Sequence, residues 1–160
     1  MTAPNLQIVN LQSIESMVLT PHPSVCLLVI DAISPAMDFK GLVRTLMPAG
    51  CQYFMILGDA AEDVHDALDY AIDDCNLGYL GTPTAVHNDD SAEDVASFLV
   101  NAAIPGETHV RCVVGYYNED DSVLEIVQKL RLNFREKSEY LSPSDQMGRQ
   151  PCAGRVVRMA

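Results

Sequence analysis

The chain has 160 residues, 48% of them hydrophobic, and carries 22 acidic against 10 basic side chains, a formal net charge of −12. That length suits one domain with a sizeable core and is short for two, and the apolar content excludes a disordered chain despite the charge. No apolar run approaches the roughly 18 residues of a membrane-spanning helix, and ordinary nucleic-acid binding, which relies on Lys and Arg to neutralise phosphates, is excluded for so acidic a protein.

The first residues, Met-Thr-Ala-Pro-Asn-Leu-Gln, lack the cationic and apolar regions of a secretory signal, which predicts a cytoplasmic protein. Leu6 to Leu11 predicts an edge strand. Val25 to Ile30 is a continuous apolar run ending in Asp31, and Tyr53 to Leu57 is another ending in Gly58-Asp59. Runs apolar on both faces suit strands covered on both sides, as in parallel sheets. Thr82 to His87 and Val110 to Val114 predict two further strands. Between the strands lie helical stripes at the i, i+3, i+4, i+7 spacing: Phe39, Leu42, Val43, Leu46 and Met47; then Ala61, Val64, Leu68, Ala71, Ile72 and Cys75; then Val95, Phe98, Leu99, Ala102 and Ala103; and finally Val123, Ile126, Val127, Leu130 and Phe134. Pro48 with Gly50, Asn76 with Gly78, and Pro105-Gly106 stop the first three.

Strand and helix alternating in this way predict an α/β fold: a three-layer sandwich with a mostly parallel sheet of four to six strands and helices on both faces, in a Rossmann-like or flavodoxin-like alternation. The domain is expected over residues 1–137. Residues 138–160, with Pro143, Gly148, Pro151 and Gly154, read as a loop or tail with a short edge strand at 155–159. The alternation and the Leu28-Val29-Ile30-Asp31 strand end resemble a phospho-receiver domain in fold pattern only. The paired acids expected at the first strand end are a single Asp31, and the lysine expected at the last is replaced by Gly115-Tyr116-Tyr117.

Five cysteines, Cys26, Cys51, Cys75, Cys112 and Cys152, are odd in number and never in a CxxC spacing, which predicts neither a disulfide framework nor a zinc site. Cys26 and Cys112 fall inside apolar strands, where a free thiol acts as a small hydrophobe.

The charge is segregated. Between Arg44 and Arg111 there is no Lys or Arg, but twelve acids: Asp59, Glu62, Asp63, Asp66, Asp69, Asp73, Asp74, Asp89, Asp90, Glu93, Asp94 and Glu107. Asp59-Ala-Ala-Glu62 and Ser91-Ala-Glu-Asp94 read as capping boxes, and acids in a first turn meet the positive end of the helix dipole. Those arguments fail for Asp69, Asp73 and Asp74, which come late in the second helix. Glu62, Asp66, Asp69 and Asp73 follow i, i+4, i+7, i+11 and line one outward face, where like charges cost a few tenths of a kcal/mol per pair.

The carboxyl ends of the strands, where ligands bind in open α/β sheets, offer Asp31 with Ser34, Asp59, the run His87-Asn88-Asp89-Asp90, and Tyr116-Tyr117-Asn118. Asp31, Asp59, His87 and Asp89 are the donor types for a divalent cation, and the same residue types are equally at home as helix caps and turn formers. No other cofactor is expected, since neither GxGxxG nor GxxxxGK[ST] is present. No GxSxG nucleophile elbow occurs either. Lys129, Arg131, Arg135 and Lys137, followed by Arg149, Arg155 and Arg158, form a basic counterpart that could pair within the molecule or head to tail between copies.

Two functions follow from these residues. The first is a non-enzymatic cytoplasmic interaction domain, immunity- or inhibitor-like or an accessory subunit, whose Glu62, Asp66, Asp69, Asp73 and Asp74, with Asp89 and Asp90, bind a basic surface of another protein. The second is a metal-dependent hydrolase or small-ligand sensor with its site among Asp31, Ser34, Asp59, His87, Tyr116 and Asn118.

Overall fold

A computed structural model of the chain describes residues 6–101 and 111–133. Five strands, β1 (Leu6–Asn10), β2 (Ser24–Val29), β3 (Cys51–Leu57), β4 (Thr84–Val86) and β5 (Arg111–Tyr116), form one sheet in the order β1-β5-β2-β3-β4. Every pairing is parallel. Helices α1 (Phe39–Leu46), α2 (Ala61–Asp74) and α3 (Ala92–Asn101), with α4 over residues 121–133, complete the fold. The α/β expectation therefore holds.

The apolar runs explain the layering. All six residues of the central strand β2 are buried, and because side chains alternate along a strand they feed two cores. Cys26, Leu28 and Ile30 join Phe54, Ile56 and Val113 under α1 and α2, whose Leu42, Val43, Leu46, Val64, Leu68 and Ala71 close the first core. Val25, Leu27 and Val29 join Met55, Cys112 and Val114 on the other face, beneath Val95, Leu99, Val123, Ile126 and Leu130 of α3 and α4. Each such aliphatic side chain stabilises the fold by about 1.5–3 kcal/mol on burial.

From β2 the chain steps outward through α1, β3 and α2 to β4, then returns across the opposite face through α3 to β5, which lies beside β2. Reversing direction while changing face is what right-handed crossovers require. The reversal falls between β5 and β2. A receiver-type sheet runs 2-1-3-4-5, so that resemblance ends at the alternation of elements.

Several boundaries differ from the sequence reading. The strand expected over Thr82 to His87 is only Thr84–Val86, because Pro83 has no N–H to donate and contributes its carbonyl to Phe54 N instead, at 2.9 Å. The first strand stops at Asn10 rather than Leu11, and Leu11–Ser16 form a 3-10 segment that buries Leu11 and Ile14 against the first core. The proposed strand at 155–159 and most of the basic C-terminal segment lie outside the described residues. No helix among the described residues is long and apolar enough to cross a membrane.

Arg111 opens β5 with only 4% of its surface exposed. Its guanidinium donates to the carbonyls of Thr20 at 2.9 Å and Ala49 at 3.2 Å. The buried cation thus ties the loop before β2 to the end of α1 at the amino edge of the sheet. Cys26, Cys51 and Cys112 are buried free thiols, and burial pushes the Cys112 thiol up to about 12, so it stays protonated at neutral pH.

Candidate functional site

At the carboxyl edge of the sheet the predicted site residues are drawn into backbone hydrogen bonds. Asp31 Oδ1 accepts from Asp59 N at 3.2 Å, and Asn88 Oδ1 accepts from Gly58 N at 3.0 Å. Gly58 makes this packing possible: its φ is +122°, and an added Cβ would lie 2.2 Å from the Ile30 carbonyl oxygen. Ser34 Oγ accepts from Ala36 N at 3.1 Å and Ser91 Oγ from Asp94 N at 3.1 Å. Asp31 and Asn88 thus bridge neighbouring loops, whereas Ser34 and Ser91 bond within their own segments, as ST turns and helix caps do.

The capping box expected from Asp59 is not formed. Ala60 takes the N-cap position of α2 without a side-chain hydrogen bond, and Asp59 is exposed with its own N–H directed to Asp31. The box at Ser91 forms on its serine side. Tyr116 packs against the second core, and Asn118 is exposed. Among the described residues no group of three or more His, Cys, Asp or Glu is close enough to hold a metal ion, so Asp31, Asp59, His87 and Asp89, carried by the ends of three different strands, are not assembled into the cation site considered from sequence.

His87 is the most constrained of these residues. Its Nδ1 lies 2.8 Å from Asp90 Oδ2 and donates to that carboxylate, which can only accept. The ring packs on Phe98 and Tyr53, with centroids 5.2 and 6.5 Å away. Nε2 is closed off from solvent and has no hydrogen-bond partner among the described residues. An open cleft of about 580 Å³ lies over this corner, lined by Glu62, Val86, His87, Asn88, Asp89 and Asp90. It sits at the β4 edge, away from the chain reversal between β5 and β2.

The outer face of α2 is arranged differently. At 100° per residue, Ala61, Val64, Leu68, Ala71 and Ile72 turn inward, and all five are buried. Glu62, Asp66, Asp69 and Asp73 fall within about 60° of one another on the outside, Tyr70 follows, and Asp63 and Asp74 complete the face next to α1. All seven are exposed, Tyr70 by 72%.

Two of the acids are not the free charges expected from sequence. Asp69 Oδ1 accepts from Thr84 Oγ1 of β4 at 2.6 Å, and Asp74 forms an ion pair with Lys40 of α1. The hydrogen bond and charge of Lys40 hold the Asp74 carboxyl below the usual carboxylate range, and Asp74 raises Lys40 in turn. Among the described residues Asp66 has only His65 as an ion-pair partner, at 3.5 Å and charged only when protonated. No cation among the described residues pairs with Glu62, Asp63 or Asp73. Between α1 and α2 lies a groove of about 360 Å³ lined by Met37, Asp38, Phe39, Lys40, Ala67, Tyr70 and Ala71. Neither the groove nor the Lys40 partnership follows from α2 alone; the available signal was Tyr70, an aromatic residue on a helix face otherwise given over to carboxylates.

Fold and surface together define an all-parallel, five-stranded α/β domain with one strongly acidic helix face and no metal-ligand cluster among the described residues. The chain belongs to the family described as domain of unknown function (DUF7684), whose model matches residues 6–131, from the start of β1 into α4. No curated protein matches the chain.

Proposed function

We propose that this protein is a non-enzymatic interaction domain that uses the outer face of α2, continued by Asp89 of the adjoining loop, to bind a basic surface of another protein. The observation that carries this reading is that Glu62, Asp66 and Asp73 are exposed on one face with no cation among the described residues paired to Glu62 or Asp73, while Lys40 is engaged by Asp74. Like charges at i, i+4 destabilise a helix by a few tenths of a kcal/mol per pair, and Asp73 and Asp74 also oppose the dipole at the helix end. A cationic partner offsets both costs and is steered to the face, with association accelerated roughly 10- to 1000-fold at low salt. An immunity- or inhibitor-like protein and an accessory subunit both present such a surface.

The test is affinity capture from the native source with wild type and with a variant carrying Glu62→Lys, Asp66→Lys and Asp73→Lys. Partner recovery is expected to fall with the variant and, for wild type, as ionic strength rises. Equal recovery by both proteins would remove the proposal.

A second reading is a small-ligand site in the cleft at the β4 end, favoured by its polar lining of Glu62, Asn88 and Asp89 beside the His87–Asp90 pair. A thermal-shift screen of small polar metabolites tests it: stabilisation abolished by Asp89→Ala, which lines the cleft without joining that pair, supports it, and the absence of any shift sinks it.

A further inference from the structure

Charge alone does not account for Tyr70. Its ring is 72% exposed at the middle of the acidic face, and it opens onto the groove whose walls, Met37, Phe39, Ala67 and Ala71, are apolar. Scattered apolar side chains are ordinary on a protein surface. An exposed aromatic bordering an apolar concavity is instead the arrangement of an interface anchor, in which a desolvated centre is ringed by polar groups. The sign of that ring is set by the residues already described. Lys40 at the rim is neutralised by Asp74, and Asp38 is exposed while its Oδ1 accepts from Gly41 N at 2.9 Å. Asp63 precedes Ala67, and Asp66 precedes Tyr70, at the i, i+4 spacing of neighbours on α2. The surroundings of the groove are therefore net negative, which repels acidic segments and favours cationic ones.

Resting on the interaction reading above, we infer that the α1–α2 groove seats one bulky apolar side chain, aliphatic or aromatic, from a partner segment in which Lys or Arg flank that residue. The apolar side chain enters between Phe39 and Tyr70, and the flanking cations meet Asp63 and Asp66 on one side and Asp38 on the other. A volume of about 360 Å³ is at the low end for small-ligand sites and admits one or two side chains rather than a folded loop. The acidic face supplies steering and sign, and the groove supplies discrimination among cationic partners.

The probe is a random displayed-peptide library selected on the full chain. Enriched sequences are expected to share a large apolar residue with Lys or Arg within a few positions. A labelled synthetic copy of the best one, followed by fluorescence anisotropy, should lose about tenfold or more in affinity when that apolar residue becomes Ala, since a buried anchor is worth at least about one factor of ten. Ala67→Trp, which fills the groove, should produce a similar loss and remove the dependence on the apolar residue. Tyr70→Ala, at an exposed position that the core does not use, should weaken binding several-fold and guards against a misfolded Ala67→Trp protein. Enriched sequences that are cationic without an apolar residue, or an apolar-bearing peptide that binds Ala67→Trp and Tyr70→Ala as it binds wild type, would overturn the groove inference while the basic-partner reading stands. No enrichment of cationic sequences would overturn both.

Discussion

The carboxyl edge of the sheet and the outer face of α2 are both rich in acidic residues and use them in opposite ways. At the edge, Asp31 and Asn88 accept from the backbone of Asp59 and Gly58, and Asp90 holds His87. On α2, Glu62, Asp63 and Asp73 point into solvent without a partner among the described residues, and only the flanks of the face are tied down, at Asp69 by Thr84 and at Asp74 by Lys40. The difference lies in the supply of donors. Loops that leave parallel strands present unpaired N–H groups, and a short polar side chain satisfies them. A helix past its first turn has spent its own N–H groups internally, so Asp66, Asp69, Asp73 and Asp74 can find only another side chain, as Asp66 has His65 and Asp74 has Lys40, or a partner; Glu62 and Asp63, in the first turn, meet the helix dipole instead. The same residue type is structural in one place and available in the other.

The largest test of this contrast is Gly58→Ala. With φ at +122° and a Cβ forced to within 2.2 Å of the Ile30 carbonyl, the substitution should destabilise the protein by about 3 kcal/mol or more, read as a shift in the denaturant midpoint. A cost below about 1 kcal/mol would mean that the edge is not a fixed, interlocked structure. A smaller and more discriminating pair compares Asp31→Ala with Asp66→Asn. The first removes an acceptor from a backbone donor and should cost about 1 kcal/mol. The second relieves like-charge repulsion and should leave stability unchanged or raise it by a few tenths of a kcal/mol. Equal losses would erase the distinction between the two regions.

A third expectation concerns Tyr117, just beyond β5, whose hydroxyl is buried without a partner among the described residues. Burial, with the Asp38 charge adding to it, pushes the phenol up to about 12, against about 10 for an ordinary tyrosine. A raised folded-state value means that the folded protein retains the proton longer than the unfolded chain. Stability is therefore fully present below about pH 10 and lost as pH rises toward 12. Tyr117→Phe should flatten that alkaline decline in part, the Cys112 thiol contributing to the remainder, and at neutral pH should be neutral or stabilising because the orphaned hydroxyl is gone. Denaturation measured across pH checks both signs.

Much of the fold was legible because the signals are local. The apolar runs of β2 and β3 mark strands covered on both faces, and the stripe from Ala61 to Ile72 marks α2 and its outward acids together. The strand-end residues were legible as a group for the same reason, since parallel strands place their following loops along one edge. What each residue does there was not legible. Asp59 carries the capping-box spacing, yet its backbone is held by Asp31 and Ala60 becomes the N-cap. Lys40 reaches Asp74 from a neighbouring helix, Thr84 reaches Asp69 from an edge strand, and the groove has walls from both α1 and α2. Each of these depends on how two elements are juxtaposed, which no single-element period encodes. The buried Arg111 shows the same limit, because its carbonyl partners come from Thr20 and Ala49, far away in the chain.

The acidic face of α2 is either a binding surface or a solvated one. The most direct measurement is partner capture from the native source with two variants of identical charge change. One carries Glu62→Lys, Asp66→Lys and Asp73→Lys on α2. The other carries Glu119→Lys, Asp121→Lys and Glu125→Lys, exposed positions at and just before α4 on the opposite face of the sheet. The account predicts that the α2 variant loses the partner while the α4 variant keeps it. Equal loss in both would reduce the effect to net charge, and retention by the α2 variant would contradict the account outright.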